Sequence, residues 1–337
     1  RVRILVLEQS NKCLSVQHLL ELINNQTKYS EKMVNYLDDD IVKELLAGKW
    51  HTLIENIESA IVDPTADMIP KTYLDCKQGD FRAMPAALQC YASLKWIGVF
   101  PNNWQIPTPT TQGTLILSDR ETGTTLMAMD CTTLTAYRTA AVSAIAAKHC
   151  CPEANNFAFI GCGLQARYHI EAYEAIFGHT NMHIDVYDRD EEAMTDLSIW
   201  ISKENIASSW GWNTSVKQAC AHADVVTTLT PSTEAYLGLE DLGETVMHIN
   251  AIGADAVGKR ELKDNIWRAF DLVVDDREQA AHSGETQYVD GSPHHTLKEI
   301  IQGCDTTDTS TVFDSTGLAI EDIATAILIY KTQQDKD

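Results

Sequence analysis

Apolar and polar positions change their period along this chain. From Ser15 to Leu46 apolar residues recur at helical spacing with a break at Asn24-Asn25, which predicts two amphipathic helices. Ahead of them, Val2-Arg-Ile-Leu-Val-Leu7 reads as an edge strand; it is too short, and lacks the small-residue cleavage pattern, for a signal peptide. Between Ala60 and Met129 short strand-like runs take over: Thr72-Tyr-Leu74, Ala92 to Ile97, Thr114 to Leu117 and Thr124 to Met129. Asp119-Arg-Glu-Thr-Gly123 reads as a hairpin turn between the last two, so this region predicts a largely antiparallel sheet. An Ala-rich helix is expected from Thr132 to Cys150. Beyond it, near-continuous apolar runs at Phe157–Ile160, Ile184–Tyr187, Val225–Leu229, Val246–Ile249 and Leu272–Val274 alternate with amphipathic segments. That alternation predicts a parallel sheet covered on both faces. Thr311-Val-Phe-Asp314 and a helix from Ile320 to Tyr330 close the chain.

The first of those runs ends in Gly161-Cys-Gly-Leu-Gln-Ala166, a Gly-x-Gly-x-x-Ala turn that opens a helix running to Phe177. The pattern is that of a dinucleotide-binding βαβ unit. Gly161 permits the tight turn, Gly163 lets backbone N–H groups approach a pyrophosphate, and Ala166 lets helix and strand pack closely. Leu164 and Gln165 complete the turn as cofactor-binding positions. The next apolar run ends at Asp188, at the spacing where a carboxylate takes the adenosine ribose hydroxyls, which favours NAD; Arg189 beside it would instead suit the 2′-phosphate of NADP.

A length of 337 residues suffices for two domains, and 44% hydrophobic with 22% charged residues is an ordinary globular balance. The net charge of −22 argues against nucleic acid or an anionic membrane as partner. Nine cysteines without Cys-x-x-Cys spacing point to reduced thiols and a cytoplasmic location, with Cys150, Cys151 and Cys162 structural. The histidines form no metal-ligand pattern, His294-His295 reading as a surface pair, so no metal is expected.

Five charged residues sit in apolar or small-residue surroundings, where an unpaired charge is costly: Lys71, Arg82, Lys95, Arg138 and Asp255. Each alone reads as a strand-edge charge or an internal ion pair. Four cations together suggest an anionic small-molecule ligand.

The segments Lys71-Thr-Tyr-Leu74, Gly79-Asp-Phe-Arg-Ala-Met-Pro85, Leu94-Lys-Trp96, Arg138-Thr-Ala-Ala141, Ile160 to Ala166, His248-Ile-Asn-Ala-Ile-Gly-Ala-Asp255 and Phe313-Asp-Ser-Thr-Gly-Leu-Ala319 together resemble the ornithine cyclodeaminase and μ-crystallin family. The wording is most similar to its archaeal type of alanine dehydrogenase. The resemblance implies an α/β protein: a Rossmann-type domain, residues 135–311, and a discontinuous α+β domain, residues 1–134 and 312–337, for substrate binding and homodimerisation. It implies an NAD-dependent amino-acid oxidoreductase, most similar to enzymes that deaminate L-alanine to pyruvate and ammonia through an imine. Ornithine or lysine cyclodeaminase, cyclic ketimine reductase and a non-catalytic NAD(P)H-binding protein are the alternatives within the family. By position, Lys71 and Arg82 would hold the substrate carboxylate. Lys95 would donate and accept protons, and Asp255 matches a residue that handles protons at the substrate amine. Arg138 and Thr139 would lie near the cofactor phosphates, with Arg138 also within reach of the carboxylate; Ile252, Gly253, Lys259 and Ser315 would line the cofactor. The chain departs from the family at Asn103-Trp-Gln-Ile-Pro107 and offers no obvious residue to hold a distal ammonium.

Overall fold

The computed structural model describes residues 34–306 and 309–336. The strand expected at Val2–Leu7, and the helical stretch from Ser15 as far as Met33, lie outside the described residues. By its internal contacts the chain divides into Arg1–Asn35 and a compact unit from Tyr36 to Asp337 that holds two sheets.

The first sheet is entered through β1 (Tyr36–Leu37) and α1 (Asp39–Leu46), whose start is capped by Asp38 accepting the Ile41 N–H at 3.0 Å. A helix not expected from the sequence follows, α2 (Trp50–Val62), burying Trp50, Leu53, Ile54, Ile57 and Ala60 along one stripe. The strands are β2 (Asp67–Met68), β3 (Thr72–Cys76), β4 (Gly79–Leu88), β5 (Tyr91–Val99), β6 (Thr111–Asp119) and β7 (Thr125–Asp130). They form the order β1-β7-β6-β5-β4-β2 with β3 also on β4, antiparallel except where β1 joins β7. The Asp119–Gly123 turn forms as expected: Asp119 Oδ1 accepts the Thr122 N–H at 2.7 Å and Gly123 takes φ +69°.

The Ala-rich segment forms α3 (Thr132–Cys150), buried on nearly every side between α2 and the second sheet. Small side chains let it approach neighbours all round.

The second sheet comprises β8 (Asn156–Ile160), β9 (His183–Tyr187), β10 (Ser209–Trp212), β11 (Val225–Thr228), β12 (His248–Ala251), β13 (Asp271–Val274), β14 (His295–Thr296) and β15 (Thr311–Asp314). Its helices are α4 (Leu164–Phe177), α5 (Glu191–Glu204), α6 (Val216–Ala219), α7 (Arg277–Ser283) and α8 (Leu297–Ile301). All eight strands are parallel, in the order β10-β9-β8-β11-β12-β15-β13-β14. From β8 the chain first builds outward through β9 and β10, then returns to β11 on the other side. That reversal opens a crevice at the carboxyl ends of β8 and β11, where ligands bind in such sheets.

Many element ends differ from expectation by a few residues, and β1, β2, β4, β10 and β14 have no counterpart among the expected strands; two further differences bear on the second sheet. β12 begins two residues later than the apolar run at Val246 and takes in His248 and Asn250, which are buried inside the sheet despite their polarity. Residues 312–314, expected with the first domain, belong to β15, which is fully buried between β12 and β13. Only after Asp314 does the chain cross back, as α9 (Ala319–Gln334), to pack on β4, β5 and β6. No helix of the described residues is long and apolar enough to cross a membrane.

Candidate active site

Strand alternation brings the first cations together. Arg82 pairs with Ile97 and Lys95 with Met84 across β4 and β5, so both charged side chains share the inner face of the sheet, diagonal to one another. They are 4% and 1% exposed. With Lys71, Arg138 and Asp255 they line one cavity of about 260 Å³, so all five charged residues singled out in the sequence converge. Its walls also carry Thr139, Gln165, Ile252, Gly253, Lys259 and Ser315.

Three of the four cations already have carboxylate partners, in line with the ion-pair reading open to each charge taken singly. Arg82 donates to Asp80 Oδ1 at 2.7 Å and to Asp255 Oδ2 at 3.0 Å, and Lys259 reaches Asp255 Oδ1 at 2.6 Å. Lys95 Nζ donates to Asp322 Oδ1 at 2.7 Å. Arg138 Nη1 donates to Glu321 Oε2 at 2.8 Å, while its Nε lies 3.1 Å from Asp322 Oδ1 without hydrogen-bond alignment. Glu321 and Asp322 are fully buried on α9 and were missed from the sequence. The signal was present: two adjacent acids in the otherwise apolar start of that helix.

Lys71 differs. Its ammonium donates to the carbonyls of Thr316 at 2.5 Å and Asp255 at 3.4 Å, and makes no ion pair among the described residues. Burial, then the Arg82 charge, lowers its pKa to about 7. Burial also lowers Lys95, with Asp322 opposing the shift. Asp255 is held well below the carboxylate range: burial works against this, but Lys259, Arg82 and Lys71 outweigh it.

A second cavity, about 420 Å³, lies at the sheet crevice and shares Leu229, Thr230 and Pro231 with the first. Gly161, Gly163, Asp188 and Arg189 line it. Gly161 has φ +106°, and a Cβ there would lie 3.0 Å from the Leu229 carbonyl, so turn and neighbouring loop require glycine. A Cβ at Gly163 would meet only open space, and no side chain caps the start of α4. Asp188 Oδ2 accepts the Cys162 N–H at 2.7 Å, tying the end of β9 to the turn. Burial, with Asp188 and Asp190 adding, pushes the Cys162 thiol up to about 12, as suits a structural cysteine. Of the residues expected here, Leu164 lines neither cavity: its side chain is 59% exposed, and only its backbone belongs to the free helix start.

The sequence matches the ornithine cyclodeaminase/mu-crystallin family over residues 31–337. The chain belongs to this family. It is 38% identical over 284 residues to an alanine dehydrogenase of Archaeoglobus fulgidus, covering 81% of this chain and 86% of that one. It is 29% identical over 324 residues to an ornithine cyclodeaminase of Brucella abortus, 92% of this chain and 83% of the relative. Among solved structures, an archaeal alanine dehydrogenase dimer with bound NAD superposes with a TM-score of 0.83 at 36% identity, covering 90% of this chain and 97% of that one. The α/β architecture is thus that of a family with NAD-bound members.

Proposed function

We propose that this chain is an NAD-dependent amino-acid oxidoreductase that reversibly deaminates L-alanine to pyruvate and ammonia. The observation that carries this reading is the composition of the charged cavity. Lys71 and Arg82 converge beside the dinucleotide-type crevice, while the remaining wall includes Met84, Ile97 and Val99. Asp255, already paired with Arg82 and Lys259, is the only carboxylate among the described lining residues. Such a wall suits a small apolar side chain and offers no anchor for a distal ammonium.

The crevice fits a dinucleotide. The uncapped start of α4 supplies free N–H groups for phosphate, Gly163 leaves the approach open, and Asp188 stands where a ribose hydroxyl would donate. Two further polar atoms in the first cavity, Gln165 Oε1 and Ser315 Oγ, are buried without a protein partner. When bound, NAD supplies the hydride acceptor. The chain's own residues do the rest. Arg82 exchanges part of its pairing with Asp255 for the substrate carboxylate, a planar anion its fork of donors matches. Lys71, with a pKa of about 7, takes the proton from the substrate ammonium, so that the nitrogen lone pair can assist loss of the α-hydrogen. The proton role expected of Lys95 therefore passes to Lys71 in this reading, because Lys95 is held by Asp322. Asp255 remains ionised beside the amine and steadies positive charge there, and Arg138 stiffens the cavity floor through Glu321 and Asp322.

The wider organisation follows the same reading. Leu94, Trp96 and Ile116 stand about 40% exposed on the outer face of β5 and β6, a surface suited to a second copy of the chain. The described cysteines are all free thiols, in keeping with a reducing cytoplasm.

The test is a panel of L-alanine, L-ornithine and a cyclic imino acid, each followed by NADH absorbance and ammonia release. L-alanine with NAD is expected to give NADH in proportion to pyruvate. Ammonia from ornithine with a flat absorbance trace would replace this reading with cyclodeaminase, and NADH oxidation with the cyclic imine alone would replace it with ketimine reductase. Repeating the assay with NADP reads the role of Asp188, whose carboxylate disfavours a 2′-phosphate.

A further inference from the structure

Beneath the loops that separate the two cavities runs a chain of buried carboxylates that none of the roles above uses. Glu261 is fully buried and ringed by donors. Its Oε2 accepts the Thr228 hydroxyl at 2.6 Å and the Gly253 N–H at 2.9 Å. Its Oε1 accepts the Thr230 N–H at 2.8 Å, the Thr230 hydroxyl at 2.6 Å and the Tyr236 hydroxyl at 2.9 Å. Glu285 in turn accepts the backbone N–H groups of Glu261 and Leu262. Asp314 accepts those of Glu285 at 3.0 Å and Thr286 at 2.8 Å. Three carboxylates thereby fasten the segments that leave β11, β12 and α7 to the end of β15.

Those segments are the common wall of the site. Thr230 and Pro231 line both cavities, and Gly253 lines the first, two residues before Asp255. They also touch one another over Glu261: a Cβ at Gly253 would overlap the Thr230 carbonyl and lie 2.6 Å from the Glu261 carboxyl carbon. Each carboxylate oxygen faces one backbone N–H, which, unlike a hydroxyl, cannot turn round to accept. An amide at this position would therefore set its NH₂ against the Gly253 or the Thr230 N–H, whichever way it flipped, and one loop would lose its anchor.

We propose that Glu261 is a positioning residue that holds the Thr228–Pro231 and Ile252–Asp255 loops in the geometry that receives the dinucleotide. This rests on the dinucleotide reading given above. It acts through the loops and touches neither cavity itself, since it belongs to neither lining.

The experiment is NADH titration by fluorescence on wild type and Glu261→Gln, with amide hydrogen exchange on both. The NADH dissociation constant is expected to rise roughly tenfold, the scale of losing about one hydrogen bond to a charged group. Exchange should quicken in residues 228–236 and 248–256 while β4 and β5 keep their protection. Faster exchange throughout the chain, β4 and β5 included, would make Glu261 a general stability residue and overturn the inference. So would NADH binding by Glu261→Gln within about twofold of a wild type that binds it. A wild type that does not bind NADH would instead overturn the dinucleotide reading. Should Glu261→Gln fail to fold, Thr228→Val serves in its place, since it removes one donor to Oε2 from outside both cavities. It is expected to raise the constant by roughly threefold, and an unchanged constant overturns the inference.

Discussion

Lys71 has carbonyl oxygens for partners where Arg82, Lys95 and Arg138 have carboxylates, and on the reading proposed above it is the cation that exchanges protons with the substrate. A carboxylate contact favours the charged form of a lysine, whereas burial beside a guanidinium favours the neutral one. With a pKa of about 7 in the free protein, Lys71 becomes a competent base as pH rises through that value. The kcat/KM for L-alanine oxidation should therefore climb with pH through about 7 and level off above it. Lys71→Met should lower the rate by about 10²–10⁴ and abolish that limb of the profile. A pH–rate series on both proteins checks this, and an unchanged profile in Lys71→Met would return the proton role to Lys95.

At the scale of elements, the turn between β8 and α4 contains two glycines with opposite requirements. Gly161 needs glycine for its own backbone and for the Leu229 carbonyl against it, whereas Gly163 has an unrestricted neighbourhood. Gly161→Ala should destabilise the fold by roughly 1–3 kcal/mol, read as a lower denaturant midpoint. Gly163→Ala should leave that midpoint nearly unchanged and weaken NADH binding, because its methyl group enters the phosphate approach. NADH binding by Gly163→Ala equal to that of the wild type would mean that the open space at Gly163 is not a ligand approach. The same comparison separates the two ways a motif glycine is read from sequence, as a backbone requirement or as room for a partner. The motif assigns the turn to Gly161 and the approach to Gly163, and the fold supplies what stands opposite each: the Leu229 carbonyl and open space.

At the scale of the whole molecule, the outer face of the first sheet carries Leu94, Trp96 and Ile116, with Leu94 paired directly to Ile116 across β5 and β6. Covering that face by a second copy removes the apolar side chains from water, and a charge placed at its centre would be buried without a partner. Trp96→Asp should therefore convert a dimer to monomers in sedimentation. It should spare the folded core, because the side chain lies on the face opposite Lys95. A Trp96→Asp protein that still sediments as a dimer would place the interface elsewhere.

The sequence by itself determined the parallel second sheet, the dinucleotide-type turn, the antiparallel first sheet and the five charged side chains of the cavity. The sheets and the turn are written in local periodicity or in a short motif, whereas the five charges stood out by their apolar surroundings and took their roles only together, through the motif order that carried the family. Tertiary structure alone decided how those charges are paired. Asp322 lies 227 positions from Lys95, and Glu321 lies 183 from Arg138. Nothing local foretells that α9 returns across β5 to deliver both acids. It also decided that Val312–Asp314 enter the second sheet between β12 and β13 and that Glu261 sits under the loops of two other strands. An apolar strand is legible from its own residues; its neighbours in a sheet, and the partner of a buried charge, are set by packing that brings remote segments together.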